Sequence, residues 1–166
     1  MQPYTYRTAT IADIEKLRVL GLNSFGQFQN QLTADNWKKL ETILDSENTY
    51  LDLLGKSTCF ICEDGNEIVG MAYYIPSGNP TAIFQEDWCY LRMVGVRTEY
   101  DGKGIGRHLI LLCLGHAKKT GEKTVALHTS EFMDAARHIY ERMGFYRLKE
   151  IEPRFEKKYW LYLFEL

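Results

Sequence analysis

A glycine-rich turn is the first feature of this sequence that could do chemistry. Gly102, Gly104 and Gly106 alternate with other residues, and the cations Lys103 and Arg107 stand beside them. A strand-like apolar run precedes the turn, and apolar residues at helical spacing follow it. The first N–H groups of a helix lack internal partners, and the helix dipole adds positive charge there. The turn therefore predicts an anion site at a helix N-terminus, where glycine lets a phosphate approach the backbone closely.

Two common nucleotide-binding motifs do not describe this turn. The pattern G-x-x-x-x-G-K-(S/T) is absent, and Arg107 stands where G-x-G-x-x-G would need a glycine after Gly102 and Gly104. No acidic residue follows in the context that a dinucleotide ribose requires. A nucleotide-binding domain is kept as one alternative, and a glycine-rich turn without a ligand is another.

Length and composition bound the function further. The chain has 166 residues, 45% of them hydrophobic and 25% charged, which predicts one globular domain over residues 1–166. The formal net charge of −2 provides no basic field for nucleic acid, so no nucleic-acid partner is expected. The N-terminus lacks the apolar core of a signal peptide, and no apolar run is long enough to span a bilayer. We therefore expect a cytoplasmic protein without a membrane partner.

The four cysteines do not form a recognisable metal or redox motif. Cys59 and Cys62 formally read C-x-x-C, but they lie in a strand-like stretch, where positions three apart point to opposite faces. The second pair of a zinc ribbon is missing, and the histidines on helical patterns lack ligand-like spacing. We expect buried structural cysteines and no metal site.

Periodicity and turn residues predict the order β-α-α-β-β-β-α-β-α-β-β. Thr10 and Asp13 mark the start of the first helix, and Thr33 or Asp35 marks the start of the second. The predicted strands cover 4–8, 58–63, 67–75, 88–96, 123–129, 145–151 and 159–165. This order indicates a mixed α/β fold with a mostly antiparallel first half.

A second motif, late in the chain, shows which family the sequence resembles. Ala136, Tyr140, Gly144 and Phe145 fit the pattern N-x-x-A-x-x-x-Y-x-x-x-G-F in register, with Met133 in place of the Asn. This pattern belongs to the GNAT family of N-acetyltransferases. Two motifs in the right order, with the order of the elements, make the resemblance cover most of the chain. It implies a single-domain acyl-CoA N-acyltransferase fold, in which helices flank a mostly antiparallel central sheet.

The glycine-rich turn resembles the acyl-CoA loop of the same family, (Q/R)-x-x-G-x-(G/A). Gly104 and Gly106 fit, whereas Asp101 stands where the family usually has Gln or Arg, and Thr98 where it often has Pro. The resemblance implies that acetyl-CoA is the co-substrate. It assigns cofactor binding to three groups of residues: the strand backbone at Met93, Val94 and Val96; the turn residues Gly102, Lys103, Gly104, Ile105, Gly106 and Arg107; and Met133, Ala136 and Tyr140.

The resemblance also implies roles in catalysis. Acetyl transfer from a thioester to an amine needs a base for the amine, a donor for the oxyanion and an acid for the leaving thiolate. Tyr140 corresponds to the family's acid. Tyr90 and His128 correspond to a pair that relays the amine proton in some relatives, and a His pKa near 6.5 suits a base. Glu86 and Asp87 are alternative bases, and a hydrogen-bonded strand histidine is an alternative reading of His128.

The resulting expectation is an acetyl-CoA-dependent N-acetyltransferase, an acyltransferase that acts by direct transfer. The acceptor would be a primary amine of a small molecule or peptide, and pairing through the C-terminal strands could form a homodimer. The main rival is a non-catalytic regulatory module that binds CoA or acyl-CoA, which the departures at Asp101 and Met133 keep open. Five aromatic residues are candidates for the acceptor side, although each could be core: Phe25, Phe28, Trp37, Phe84 and Trp88.

Overall fold

A seven-stranded sheet in the order β1-β2-β3-β4-β5-β7-β6 forms the centre of the computed structural model, which describes residues 3–166. Neighbouring strands are antiparallel except for β4 and β5, which are parallel. The predicted α/β fold with a mostly antiparallel sheet is therefore confirmed. The strands are β1 Thr5–Thr8, β2 Thr58–Asp64, β3 Glu67–Ile75, β4 Cys89–Val96, β5 Thr124–Ser130, β6 Tyr146–Arg154 and β7 Lys157–Glu165.

Five α-helices cover the sheet, one more than the sequence predicted. They are α1 Ile14–Gly26, α2 Ala34–Asp45, α3 Glu47–Lys56, α4 Ile105–Lys119 and α5 Asp134–Met143. The predicted order placed a strand directly after the second helix. This was wrong, because α3 lies between α2 and β2. Tyr50 and Leu53 of α3 are buried, so tertiary packing of a short apolar stripe holds this helix.

Two helix starts follow from local hydrogen bonding, as predicted. The Thr10 side chain accepts a hydrogen bond from Ala12 N–H, and the Asp13 carboxylate accepts one from Thr10 N–H. These bonds cap the 3₁₀ turn Ile11–Asp13, which leads directly into α1 at Ile14. The Thr33 hydroxyl accepts a hydrogen bond from Asn36 N–H and caps α2. These side chains satisfy N–H groups that have no partner inside the helix.

The helices cover both faces of the sheet. One core includes Leu17 of α1, Tyr50 of α3 and Tyr73 of β3, while the other includes Leu109 of α4 and Tyr140 of α5. We call these sides of the sheet the α1 face and the α4 face. Because side chains alternate along a strand, even-numbered residues of β5, and of β4 as far as Arg92, lie on the α1 face.

Two glycines let helices approach the sheet closely near its centre. A Cβ atom at Gly70 would lie 2.7 Å from the Ile105 side chain, and one at Gly95 would lie 3.0 Å from Ser24 Oγ. Gly70 therefore fixes the start of α4 against β3, while Gly95 fixes the end of α1 against β4. Both helix ends are thereby held beside the C-terminal end of β4.

The parallel pairing of β4 with β5 stops soon after it begins. Only Cys89 with Val125 and Tyr90 with Ala126 are in register. Further on, Met93 has a φ of 46°, and the pairing of β4 with β3 shifts by one residue. A bulge of this kind bends a strand and redirects its side chains. The two strands therefore separate in the middle of the sheet.

The cysteines are free, buried and dispersed through the cores. Within residues 3–166, no group of three His, Cys, Asp or Glu side chains is arranged to hold a metal ion. Helices in the same part of the chain are too short or too polar to cross a membrane.

Candidate active site

A cavity of about 380 Å³ lies where β4 and β5 separate, and both strands contribute to its walls. Phe25 and Phe28 line it from the α1 face. Ile139 and Tyr140 of α5 line it from the α4 face. The cavity therefore passes through the plane of the sheet and is reached by side chains from both faces.

The start of α4 borders this cavity through the glycine-rich turn. Gly102 and Gly104 have φ values of 75° and 80°, in the left-handed region that glycine adopts without a steric cost. The N–H groups from Gly102 to Arg107 donate to no backbone or side-chain acceptor within residues 3–166. A row of free N–H groups at a helix N-terminus fits a phosphate.

The turn residues differ in how they face the cavity. Gly102 and Gly106 line it, whereas Lys103, Gly104 and Arg107 are exposed beside it. Ile105 is buried beneath the turn against Gly70, so its side chain anchors the helix.

Asp101 is the single acidic residue that lines the cavity within residues 3–166. Burial and the neighbouring Glu99 raise the pKa of the Asp101 carboxyl. A carboxylate here opposes the binding of a phosphate, which the nearby N–H groups favour.

The residues of β4 and α5 that the resemblance assigned to cofactor binding surround the opening between β4 and β5. Met93, Val94 and Val96 of β4 line the cavity, as do Met133 and Ala136 at the start of α5. Beyond Tyr90, no register pair joins β4 to β5, so this edge of β4 is free to pair with an added extended chain.

Tyr140 lies on the α4 face with 6% of its surface exposed, and it lines the cavity. Burial raises the pKa of the Tyr140 hydroxyl, which makes no hydrogen bond to another side chain in the described part of the chain. The phenol therefore stays protonated at neutral pH and has a proton to donate.

His128 lies across the sheet from Tyr140, on the α1 face of β5, and lines the same cavity. Its Nδ1 atom is buried and has no hydrogen-bond partner within residues 3–166. Burial, with the positive charges of Arg92 and Arg154, lowers the pKa of His128 to about 3. The expectation of a pKa near 6.5 was therefore wrong, because the imidazole lies in an apolar and positively charged environment.

Tyr90 is not brought to the cavity. Its hydroxyl donates to the backbone carbonyl of Asn79 at 3.1 Å, and its ring stacks on Phe84 at 4.1 Å. Glu86 and Asp87 are exposed and lie outside the cavity wall. Of the three base candidates besides His128, none lines the site in the described part of the chain.

The aromatic residues expected on the acceptor side divide into two groups. Phe25 and Phe28 line the cavity. Trp37, Phe84 and Trp88 are buried in the apolar cores. Tyr159 and Phe155, which were not among the candidates, complete the aromatic wall.

Two arginines in the cavity wall were missed by the sequence reasoning. Arg92 follows Tyr90 on the α1 face of β4, and Arg154 ends β6 beside the rings of Phe155 and Tyr159. One signal was available: Arg92 is the single charged residue in the apolar run from Cys89 to Val96.

The sheet with its separated parallel strands and its cavity defines the acyl-CoA N-acyltransferase fold. Two solved structures share it over nearly the whole chain. The PaiA N-acetyltransferase of Thermoplasma acidophilum, in complex with coenzyme A, matches with a TM-score of 0.81 at 14% identity, covering 99% of this chain and 100% of that one. The ribosomal-protein alanine N-acetyltransferase of Escherichia coli matches with a TM-score of 0.74 at 16% identity, covering 98% and 94%.

The chain belongs to the Acetyltransferase (GNAT) family, which matches residues 26–145. The resemblance drawn from the two motifs is thereby confirmed. N-acetyltransferase family 8 member 3 of Rattus norvegicus is 32% identical over 107 residues, which cover 64% of this chain and 45% of that protein. The chain spans about half the length of the curated relatives it matches.

Proposed function

We propose that the protein is an acetyl-CoA-dependent N-acetyltransferase that transfers the acetyl group directly to a primary amine. The separation of β4 from β5 carries this proposal, since it gives one cavity access from both faces of the sheet. A donor on the α4 face and an acceptor on the α1 face can therefore meet in the plane of the sheet. Family membership and the N-acetyltransferase names of the relatives support the same reaction.

The residues on the α4 face fit acetyl-CoA. The free N–H groups from Gly102 to Arg107 suit its pyrophosphate, and the exposed Lys103 and Arg107 add positive charge. The free edge of β4 at Met93 to Val96 suits the amides of its pantetheine arm. When bound, acetyl-CoA supplies the activated thioester.

Tyr140 is the proposed acid. Its buried hydroxyl keeps a raised pKa, so it is protonated at neutral pH, and no protein acceptor competes for its proton in residues 3–166. A thiolate is a strong hydrogen-bond acceptor, and a phenol held beside it can donate a proton as the thiol leaves.

The amine must reach the site without its ammonium proton, and the cavity favours that form. Burial in the cavity disfavours a bound ammonium as it disfavours a protonated His128, because desolvation penalises the charged form. The neutral His128 imidazole then offers a lone pair that can accept a hydrogen bond from the amine. In this scheme His128 orients the amine, the proton that the nitrogen loses after attack on the thioester passes to solvent, and Tyr90 has no direct part.

Direct transfer is the simplest route, because no cysteine lines the cavity. Burial raises the pKa of the Cys59 and Cys89 thiols to about 12, and it raises those of Cys62 and Cys113 as well. Thiols that stay protonated are poor nucleophiles. A covalent acyl-cysteine step is therefore not part of the proposal.

Thermal unfolding with acetyl-CoA, CoA, ATP and NAD tests the cofactor. A ligand at ~100 times its Kd adds ~2.7 kcal/mol of stability, which should raise the Tm of a chain of this length by roughly 5–10 °C. We expect a shift with acetyl-CoA and CoA alone, followed by CoA release in the presence of suitable amines. An equal shift with ATP or NAD would instead favour a nucleotide site.

Two observations favour a non-catalytic CoA-binding module as the second candidate. Asp101 places a negative charge beside the anion site, and His128 has a pKa far below that of an effective base at neutral pH. Binding of acetyl-CoA without CoA release across a broad panel of amines would establish this candidate. A cytoplasmic location and a homodimer stay predictions.

A further inference from the structure

We propose that the acceptor is a small amino carboxylate with an apolar side chain, whose carboxylate pairs with Arg92 and Arg154. This inference rests on the proposed N-acetyltransferase function and names the substrate class of the same site. It follows from two cations in the acceptor half of the cavity that have no anionic partner in the described part of the chain.

Arg92 is the first of these cations. It lies on the α1 face of β4, directly before the bulge at Met93, and it is half-buried. No carboxylate within residues 3–166 lies at ion-pair distance from it. Burial and the charge of Arg154 lower its pKa, which shows that the guanidinium is poorly compensated. A buried charged group normally has an ionic or hydrogen-bonding partner, so the Arg92 guanidinium is suited to bind an anion.

Arg154 is the second cation; it is an exposed residue at the hairpin between β6 and β7, and it lines the cavity. Phe155 and Glu156 have φ values of 54° and 60°, as a two-residue type I′ turn requires. The Glu156 carboxylate accepts a hydrogen bond from Asn36 Nδ2 at 3.1 Å, which ties the turn to α2. The acid nearest in sequence to Arg154 on this turn is therefore already engaged elsewhere.

His128 lines the same cavity as Arg92 and Arg154. The charges of both arginines act on its imidazole, which lies across the opening from β4 and lines the same cavity. Its buried Nδ1 has no partner in the described chain. The anion site therefore lies beside the opening at which the amine must react, which places the carboxylate and the amine within one small molecule.

The other residues of the cavity wall on the α1 face indicate the chemistry of the acceptor's side chain. On the α1 face the cavity is lined by the rings of Phe25, Phe28, Phe155 and Tyr159 and by Leu40. The one acidic residue in its wall, Asp101, belongs to the turn before α4. Two guanidinium forks, an apolar aromatic wall and no acid on the acceptor half suit a carboxylate with an apolar substituent.

Matched acceptors that differ only at the carboxyl group test the substrate class. CoA release would be measured with leucine and phenylalanine, with their carboxamides, and with 3-methylbutylamine and phenethylamine, which lack the group. We expect kcat/KM to be at least about tenfold higher for the amino carboxylates, in keeping with a charge-assisted bond to arginine. Equal use of the three forms, or a preference for 2-aminoethyl phosphate, would overturn the inference.

Three variants test whether Arg92 and Arg154 cause the preference for a carboxylate. Arg92→Gln and Arg154→Gln should each raise the KM for leucine by about tenfold or more, while the KM values for leucinamide and acetyl-CoA stay within about twofold. Arg142→Gln removes an exposed arginine of α5 outside the cavity wall and should change none of them. A parallel rise in the KM for acetyl-CoA would instead assign the arginines to the cofactor.

Failure of the proposed function would be visible separately. If no amine released CoA, calorimetry with CoA present would measure the binding of leucine and leucinamide to the same protein. Binding of leucine that is lost in Arg92→Gln would uphold the anion site while rejecting the transferase. Leucine that binds no better than leucinamide would reject the anion site.

Discussion

Two titratable side chains border one cavity, and their surroundings drive their pKa values apart. Burial raises the pKa of Tyr140, whereas burial and two arginines lower that of His128. At neutral pH the first therefore holds a proton and the second holds a free lone pair. A pair with this division suits an acid and an acceptor acting on opposite sides of a reacting group.

Tyr140→Phe tests the acid. We expect kcat to fall by about 10²–10³-fold, because general-acid catalysis contributes on this scale. The KM for acetyl-CoA and the Tm should change little, because the hydroxyl makes no side-chain hydrogen bond in the described chain. Tyr162→Phe is the matched control, since the Tyr162 hydroxyl bonds to Glu141 and lies outside the cavity wall. An unchanged kcat in Tyr140→Phe would remove this residue as the acid.

His128 should make stability depend on pH. Its pKa falls from 6.5 in the unfolded chain to about 3 in the native state, so between these values only the unfolded chain takes up the proton. The stability is therefore complete above about pH 6.5 and is lost progressively as the pH falls toward 3. On going from pH 7 to pH 5 the loss amounts to about 2 kcal/mol.

Urea unfolding at both pH values measures this effect. His128→Asn should lose about 2 kcal/mol less than the native protein over the same interval, whatever its stability at pH 7. His138→Asn, which removes an exposed histidine of α5, should follow the native protein. Equal losses in His128→Asn and the native protein would show that the imidazole titrates normally.

At the scale of elements, the start of α4 is the most specific part of the donor side. Gly70 lets Ile105 pack closely beneath it, and the turn leaves its N–H groups without protein acceptors in residues 3–166. The anion site is thus made by backbone rather than by side chains. A substitution that adds charge without disturbing the helix is therefore the most informative test.

Gly106→Asp provides that substitution. A Cβ atom at Gly106 would meet Val96 at an ordinary 3.6 Å, and an aspartate in the first turn interacts favourably with the helix dipole. We expect an unchanged or slightly raised Tm without ligand, and at least about tenfold weaker binding of acetyl-CoA from charge repulsion. Gly115→Asp adds the same charge to an exposed position of the same helix and should bind normally. Normal binding by Gly106→Asp would disprove the anion site.

The elements that could be predicted from the sequence are those with local signals. Thr10 and Thr33 mark the start of their elements through hydrogen bonds to N–H groups two or three residues further along the chain. Helix α3 was missed because its start has no side-chain cap and its apolar stripe is short. Strand β6 runs past its predicted end to Arg154 and contains Pro153, which an edge strand tolerates.

The candidate site likewise contains residues that local sequence motifs predict and residues that only the tertiary structure brings together. Gly106, Ala136 and Tyr140 belong to motifs with fixed spacing, and the structure brings them to one cavity. The convergence of Arg92 with Arg154 could not be predicted, because it depends on a bulge in β4 and on a hairpin 62 residues later in the chain. Tyr90 was assigned from register alone, and the contact with Asn79 that turns its hydroxyl away is tertiary.

At the scale of the whole molecule, the sheet consists of two parts joined weakly at their common edge. The first part holds β1 to β4 and the second holds β5 to β7, and only two register pairs link β4 to β5. By contrast, β5 pairs with β7 along its full length. A donor bound between the strands would supply the hydrogen bonds that this edge lacks, so binding should affect both parts together.

Hydrogen exchange with and without acetyl-CoA measures this coupling. We expect added protection in peptides covering 92–96, 102–107 and 127–130, because their N–H groups border the opening or the free helix start. Strand β6, an exposed edge remote from the donor side, should exchange at an unchanged rate. Protection limited to 102–107 would mean that only the phosphates are held and that the arm does not enter between the strands. The protein would then lack the geometry that brings a thioester to the acceptor face, and the binding-module reading would replace the enzyme.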